Sequence, residues 1–506
     1  MNHVYVLGDQ LNLQVGPLSK FEPAQTVVLM VESLERGQRV PFHKQKLGLV
    51  YSAMRHFKLE LERAGFKVNY QSCAKWIDGI RAHLEQYPGV KLTVMQPADH
   101  GVDALLRSMI QTHGGTLEVV PNELWLSSDS DFEEFAKDKE TLRMEFFYRQ
   151  MRKKTAWLMD ASEPVGGSWN YDADNREVIP SGHRFPQKLE FGQDALTLET
   201  LSWVEKNFPN NFGHLEKFNW PVTRAQALSG LEHFLTHRLT HFGPFEDAMV
   251  EGENQLYHSL ISPALNIGLL TAREVCERAL EFAADPKNKV PLSSIEGLIR
   301  QILGWREFMR HVYRTKMPGF RNENRLEHSA KLPDFYWTAK TEMNCLSSCV
   351  NQVLETGHSH HIQRLMVLGN FALIAGVRPQ AINDWFLLAY VDAFDWVVSP
   401  NVLGMSQYAD LGSFTSKPYA SGGAYISRMS NHCQGCQFNP KKSVGDDACP
   451  FSSLYWDFLD RHAQTFAKNQ RMSLILAGWK KRDTDDKRAI LERAGEVKRM
   501  LENDEL

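Results

Sequence analysis

The stretch KLGLVYSAMRHFKLELERA, Lys46 to Ala64, decides the first half of the fold. Leu47, Val50, Met54, Phe57 and Leu61 recur along it at helical spacing, and Gly65 stands where a helix would stop. Around it lie short β-branched runs at His3 to Leu7, Thr26 to Val31, Lys67 to Tyr70, Lys91 to Met95 and Leu117 to Val120. Strands alternating with amphipathic helices predict an α/β domain, a doubly wound parallel sheet over residues 1–135. The first strands end in Gly8-Asp9-Gln10 and Glu32-Ser33, polar groups at the carboxyl edge where open α/β sheets take ligands. No G-x-G-x-x-G follows the first strand, which argues against an ordinary dinucleotide site.

Working outward, residues 136–195 predict an interdomain connector, with Pro164, Gly166, Gly167, Pro180, Gly182 and Pro186 crowded into its polar second half. From 196 to 506 helical periods take over, and Thr271 to Glu274 and Ser293 to Glu296 have the form of capping boxes. The second domain is expected to be large and all-α. A chain of 506 residues exceeds what one core usually holds, in keeping with several domains. It opens without the basic and apolar regions of a secretory signal, and no apolar run approaches the ~20 residues of a membrane span. A soluble, cytoplasmic protein that meets no membrane is therefore expected. The formal net charge of -4 excludes a uniformly basic nucleic-acid coat. Between Arg300 and Lys331, however, eight Lys or Arg stand against three acids, which reads either as a phosphate-binding stripe or as a solvated helix face.

Cys433, Cys436 and Cys449 read C-x2-C-x12-C-P, and Cys345 offers a fourth thiol, with Cys349 one helical turn later as the competitor. In an intracellular chain this spacing suggests metal rather than disulfides, and it suits zinc and a [4Fe-4S] cluster equally. Cys73 and Cys276 have no partner pattern and read as core residues. Ser259 and Ser262, before a helix near Thr271, offer the hydroxyls a diphosphate would need. Asp392 and Asp395, three apart, would share a helix face. His358, His360 and His361 lack the i,i+4 spacing of a helical metal site; alone, each would read as a core histidine.

Longer motifs narrow the field. LGDQL at Leu7 to Leu11, MEFFYRQMRKK at Met144 to Lys154, HSLISPALNIGLL at His258 to Leu270, IRQILGWREFMR at Ile299 to Arg310 and HSHHIQRLMVLGNFAL at His358 to Leu373 run along most of the chain. VDAFDWVVSPNVLGMSQYAD at Val391 to Asp410, KPYASGGAYISRMS at Lys417 to Ser430 and the cysteines complete the set. With these the chain resembles the bacterial iron-sulfur branch of the photolyase and cryptochrome superfamily. The resemblance implies an N-terminal α/β antenna domain, a helical FAD domain, a [4Fe-4S] cluster held by Cys345, Cys433, Cys436 and Cys449, and light-driven repair of (6-4) lesions in UV-damaged DNA. It implies FAD contacts at Ser259, Ser262, Asn266, Arg306, Asp392 and Asn401, with Arg306 paired to Asp392 at the isoalloxazine.

Electron transfer would run through Trp385 and Trp337; Phe386 stands where some relatives carry tyrosine. The antenna, by resemblance 6,7-dimethyl-8-ribityllumazine, would meet Asp9, Gln10 and Glu32. Because (6-4) repair moves a hydroxyl between bases, a proton donor is required, and His361, with His360 second, is assigned to it. Arg310, Arg314, Lys316, Lys417, Lys441 and Lys442 would meet phosphates, and Tyr419 and Tyr425 would pack on displaced bases. A monomer is expected. The competing readings are a blue-light photoreceptor of the cryptochrome type, with FAD and cluster but no repair, and a nucleic-acid-binding iron-sulfur module that would leave Trp337, Trp385 and the FAD segment without a purpose.

Overall fold

The computed structural model describes residues 1–506. Five strands form one parallel sheet: β1 Asn2–Tyr5, β2 Thr26–Ser33, β3 Lys67–Cys73, β4 Lys91–Met95 and β5 Thr116–Val120, in the order β3-β2-β1-β4-β5. Every pairing is parallel, so each connection must cross over. The helices Lys44–Arg63, Trp76–Gln86 and Val102–Thr112 make those crossovers. The strand order reverses between β1 and β4, and there the carboxyl edges part. β2 is buried along nearly its whole length, as expected for a strand covered on both faces.

The connector is ordered from inside. Arg152, fully buried on the helix Met144–Thr155, donates to the carbonyls of Trp157, Leu158 and Trp169, the last at 3.0 Å, and so folds the following polar segment back on the helix. Beyond Ala195 the chain is helical to its end, with Thr484–Glu502 as the last long element.

The α/β and helical parts share apolar packing. One core cluster of 61 buried residues runs from Val4 and Met54 to Trp396 and Phe414. At the contact, Leu11 N donates to Ile267 O at 3.0 Å and Asn12 Nδ2 to Gly268 O at 2.8 Å. Gly268 has φ +89°, and a Cβ there would stand 2.8 Å from Leu11 N, so only glycine lets the two backbones approach.

Thr271 and Glu274 form the predicted capping box. The one predicted at Ser293 does not form: its helix starts at Leu292, and Glu296 turns inward to accept from the Tyr148 hydroxyl at 2.9 Å and Tyr171 N at 3.1 Å. Burial wins because Glu296 also meets Arg300 at 3.5 Å. No helix is long and apolar enough to cross a membrane.

Candidate functional site

Three stretches of the helical part wind as π-helix: Arg300–Arg306, Gln363–Gly369 and Pro400–Ser406. π-turns are rare and concentrate at functional sites. Each carries a residue of interest: Arg306, Arg364 and Asn401.

At the centre lies Asp392. Arg364 reaches it with both arms, Nη1 to Oδ1 at 3.0 Å and Nη2 to Oδ2 at 3.1 Å. Ser262 Oγ donates to Oδ2 at 2.7 Å, and Asn266 Nδ2 to the Asp392 carbonyl at 2.9 Å. Burial would raise the Asp392 pKa, but the charges of Arg364 and His358 with the hydrogen bonds from Arg364 and Ser262 together offset it and hold the carboxyl below its ordinary value. Arg364 also lies 4.0 Å over the Tyr390 ring. Ser259 is half-buried beside Leu260, whose φ of +55° bends the loop before the Ser262–Asn266 helix.

The expected Arg306–Asp392 pair does not form. Arg306 binds Glu307 at 3.2 Å and lies 4.0 Å over Trp125 and 5.3 Å from Trp396, toward the α/β part. Asp392 and Asp395 do not share a face either: Asp392 precedes the helix Asp395–Ser399, and Asp395 turns to the Tyr313 hydroxyl and to Arg321. Asn401 donates to Val397 O of its own helix at 2.8 Å.

Above the Arg364–Asp392 pair stands a wall of histidines. His258 and His360 stack with ring centroids 4.5 Å apart and 12° between planes, and His361 meets both edge-on. These three are the only set of His, Cys, Asp or Glu side chains whose ligand atoms converge within 4.8 Å. Both ring nitrogens of His360 and Nε2 of His258 are buried without a hydrogen-bond partner in the protein. Burial, with the neighbouring cations, drives both well below the ordinary histidine pKa, so they are neutral. His361 differs. Its side chain is 47% exposed, Nε2 lies 3.4 Å from Asp247 Oδ1, and although burial pulls its pKa down, the hydrogen bond and charge of Asp247 outweigh that and raise it. The wall therefore holds one protonatable imidazole backed by two neutral ones.

Trp385 is fully buried; its Nε1 donates to Tyr336 O at 2.9 Å, and its ring meets Tyr336 at 5.2 Å, Phe386 at 5.3 Å and Tyr390 at 5.7 Å. Trp337, next to Tyr336 in the chain, is 36% exposed and edge-on to Phe212. Aromatic rings thus run from Tyr390, under Arg364, through Trp385 to Tyr336, whose neighbour in the chain is the surface Trp337.

Cys345, Cys433, Cys436 and Cys449 line one apolar cavity with Phe438 and Phe451, while Cys349 is absent from its wall and turns into the core. Burial raises the Cys345 thiol well above its ordinary pKa and the other cysteines add to the rise, whereas Cys349 is pushed to about 12 by burial alone. A Cβ on Gly423 would stand 2.8 Å from Cys449 Sγ, so a side chain there would intrude on the thiols. No three of these sulfurs converge within 4.8 Å of one another.

In the α/β part, Asp9 and Gln10 sit at the β1/β4 switch point. Gln10 is buried and donates to Met95 O at 2.9 Å. Burial, reinforced by Asp99, pushes the Asp9 carboxyl up to about 6. Glu32 is consumed internally by Arg55 at 2.8 and 2.9 Å, the Tyr70 hydroxyl at 2.5 Å and Ser72.

The basic stripe is a correction. Arg300 faces Glu296, Glu246 and Asp172; Arg310 and Arg314 face Asp129; Lys316 faces Asp410; Arg321 faces Asp395; Arg325 faces Glu323. Carboxylates, among them the sequence-distant Asp129, Asp172, Glu246, Asp395 and Asp410, pair with every cation of the stripe except Lys331. Lys442 likewise pairs with Asp447 at 2.7 Å. Sequence reading had not assigned Arg364, His258 or Asp247; the signal for the first was its place four residues after His360 in the same helical stretch.

This architecture, a parallel α/β part joined to a helical part, is that of photolyases and cryptochromes. A cryptochrome of Synechocystis sp. PCC6803 superposes with a TM-score of 0.58 at 16% identity, covering 85% of this chain and 88% of its own. An archaeal photolyase from Sulfolobus tokodaii, solved with two FAD molecules, does so at 0.54 and 15%, over 99% and 100%. Residues 4–220 match the family described as deoxyribodipyrimidine photo-lyase-related protein. A (6-4) photolyase of Agrobacterium fabrum (strain C58) is 38% identical over 505 residues, 99% of each chain. The chain belongs to this photolyase-related family of DNA photolyases.

Proposed function

We propose that the protein repairs (6-4) pyrimidine photoproducts in UV-damaged DNA in light, with His361 as the proton donor. The observation that carries this reading is the histidine wall above the Arg364–Asp392 pair. Asp247 raises the pKa of one imidazole while His258 and His360 are held neutral beside it, an arrangement suited to proton transfer to a base. The full-length likeness to a (6-4) photolyase supports the same lesion class.

FAD fits the surroundings of Asp392. Ser262 and Asn266 bind Asp392 directly, and the buried His258 and His360 nitrogens lack partners within the protein; Ser259, three residues before Ser262, and Asn401 are assigned to the flavin with them. Arg364 with Asp392 takes the place at the isoalloxazine first expected of Arg306, which has turned away to Trp125. When bound, FAD supplies the light absorption and the electron that this repair needs. The chain's own work is to position the lesion and to move a proton. Nε2 of His361 faces Asp247, which leaves Nδ1 to carry the proton toward the lesion. Reach of a buried centre demands that the lesion leave the base stack, as is general for enzymes of this kind, photolyases included. Trp385 and Trp337 form the route that renews the electron.

The four cysteines fit a [4Fe-4S] cluster better than zinc. A tetrahedral zinc with Zn–S of about 2.3 Å brings sulfurs to about 3.8 Å of one another, and no three of these sulfurs lie within 4.8 Å of one another. An antenna chromophore, 6,7-dimethyl-8-ribityllumazine, is assigned to the β1/β4 switch point, with Asp9 as its polar contact and Gln10 and Glu32 shaping the wall. We assign the protein to the cytoplasm as a monomer.

The test is a His361→Ala protein. It should retain flavin and lose light-dependent removal of (6-4) lesions by ~100-fold or more, the scale of a missing general acid. Unchanged repair would refute the assignment, and flavin with iron but no repair in the wild type would favour the photoreceptor.

A further inference from the structure

The paired stripe leaves open which cations meet DNA, and the structure offers another set. Between Arg143, the loop Tyr408–Ser416 and the turn Thr465–Gln470 lies a surface groove with a volume of about 410 Å³. Arg143 and Lys468 line it, no carboxylate does, and neither cation takes part in an ion pair. Arg143 is half-buried, and its one side-chain hydrogen bond goes to Leu142 O at 2.9 Å. Burial lowers its pKa, Tyr408 opposes that and Arg471 adds to it; the carboxylate of the same loop, Asp410, is already taken by Lys316, Gly412 N and the Ser413 hydroxyl and does not line the groove.

The groove is a built feature rather than a chance of surface lysines. Thr415 lines it at 5% exposure, and its Oγ1 is buried without a hydrogen-bond partner. Asn469 fixes the opposite wall: Nδ2 donates to Ser416 O at 3.0 Å, and Oδ1 accepts from Arg471 N at 3.0 Å. The groove also adjoins the stretch that carries Arg364: Gln407, next to the lining Tyr408, donates through Nε2 to Gly369 O at 2.9 Å, at the end of Gln363–Gly369.

We propose that this groove binds a phosphodiester of the DNA backbone beside the lesion, with Arg143 and Lys468 facing the phosphate oxygens and the Thr415 hydroxyl donating to one of them. The inference rests on the DNA-repair reading above. A planar guanidinium, an ammonium and a hydroxyl are the donors proteins use on phosphate. An unpaired buried hydroxyl is satisfied when such an acceptor arrives.

The test compares the full-length wild type with Arg143→Ala/Lys468→Ala, with Thr415→Val, and with a charge-matched control, Lys67→Ala/Lys75→Ala, on the distant α/β part. Binding to undamaged and (6-4)-containing duplexes is followed by fluorescence anisotropy across salt concentrations, after melting curves and flavin absorbance confirm folding. The groove double variant should lose about tenfold in affinity for both duplexes, and its log-log salt slope should fall by about 1 to 2, near 0.9 per phosphate contact. Thr415→Val should weaken binding several-fold with the slope unchanged, and the control should match the wild type. Unchanged affinity and slope in the double variant, or an equal loss in the control, would overturn the proposal. So would inorganic phosphate held by the groove while DNA binding ignores these substitutions. Wild type that binds DNA through the groove yet removes no lesion in light would sink the repair reading and leave this one standing.

Discussion

Arg364 and Arg306 have the same local chemistry and different meanings. Each lies on a π-helical turn, each has a guanidinium 4.0 Å from an aromatic ring, and each meets one carboxylate. Glu307, the partner of Arg306, is its neighbour in the chain, and its second oxygen accepts from Leu126 N, Ser127 N and Ser127 Oγ at 2.6 to 3.0 Å. That centre ties the end of the α/β part to a helix. Asp392, the partner of Arg364, gathers Ser262 and Asn266 from a segment more than a hundred residues away and lies below histidines with unpartnered nitrogens. A guanidinium over a ring is therefore not a site by itself. What distinguishes the two is whether polar atoms nearby still need a partner.

Substitution of the carboxylates separates the centres most strongly. Asp392→Ala and Glu307→Ala each strand a largely buried guanidinium, and each should cost about 3–5 kcal/mol in chemical denaturation. Only Asp392→Ala should also empty the flavin site, read from visible absorbance; flavin loss from the Glu307 variant instead would return Arg306 to the flavin. Arg306→Met removes the cation–ring contacts over Trp125 and Trp396 and also leaves buried Glu307 without its cation, with an expected loss of about 3–5 kcal/mol and flavin content unaltered.

Along the Arg364 side, Trp385→Phe should slow photoreduction about tenfold, a barrier change of ~1.4 kcal/mol, with little effect on repair by protein reduced beforehand. Equal photoreduction would place the route elsewhere. The smallest effect is one of pH. Because the His361 pKa is raised on folding, the stabilisation it gains from Asp247 is full below 6.5 and is lost as pH rises through the folded value. Repair should fall over that same window. In Asp247→Asn, burial and Arg364 lower the imidazole pKa with only Glu246 opposing them, so the alkaline limb of the rate profile should move to lower pH; a limb that stays put would detach Asp247 from the proton donor.

Much of the molecule was legible in its sequence because the forces there are local and repetitive. Short β-branched apolar runs and helical periods in residues 1–135 are direct consequences of burying strands between layers of helices and one face of each helix, and the five strands appear where those runs lie. The capping box at Thr271 involves four consecutive residues, and it forms. The box at Ser293 obeyed the same pattern and failed, because Tyr148 and Tyr171, far away in sequence, offered Glu296 buried hydrogen bonds that a surface cap could not match. The basic stripe misled for the same reason: Asp129, Asp172 and Asp410 neutralise it from outside any local window.

By itself, then, the sequence determined the parallel α/β sheet, the helical remainder, the family motifs and the residue types able to do redox and proton chemistry, since periodicity and spacing record which faces must be buried. Only the tertiary structure decided which charges survive unpaired, which arginine meets Asp392, that Cys345 rather than Cys349 joins the other thiols, and that His258 stacks on His360. Each of those outcomes depends on distances between atoms far apart in the chain, and electrostatic and hydrogen-bond energies depend on distance and burial rather than on order along the sequence.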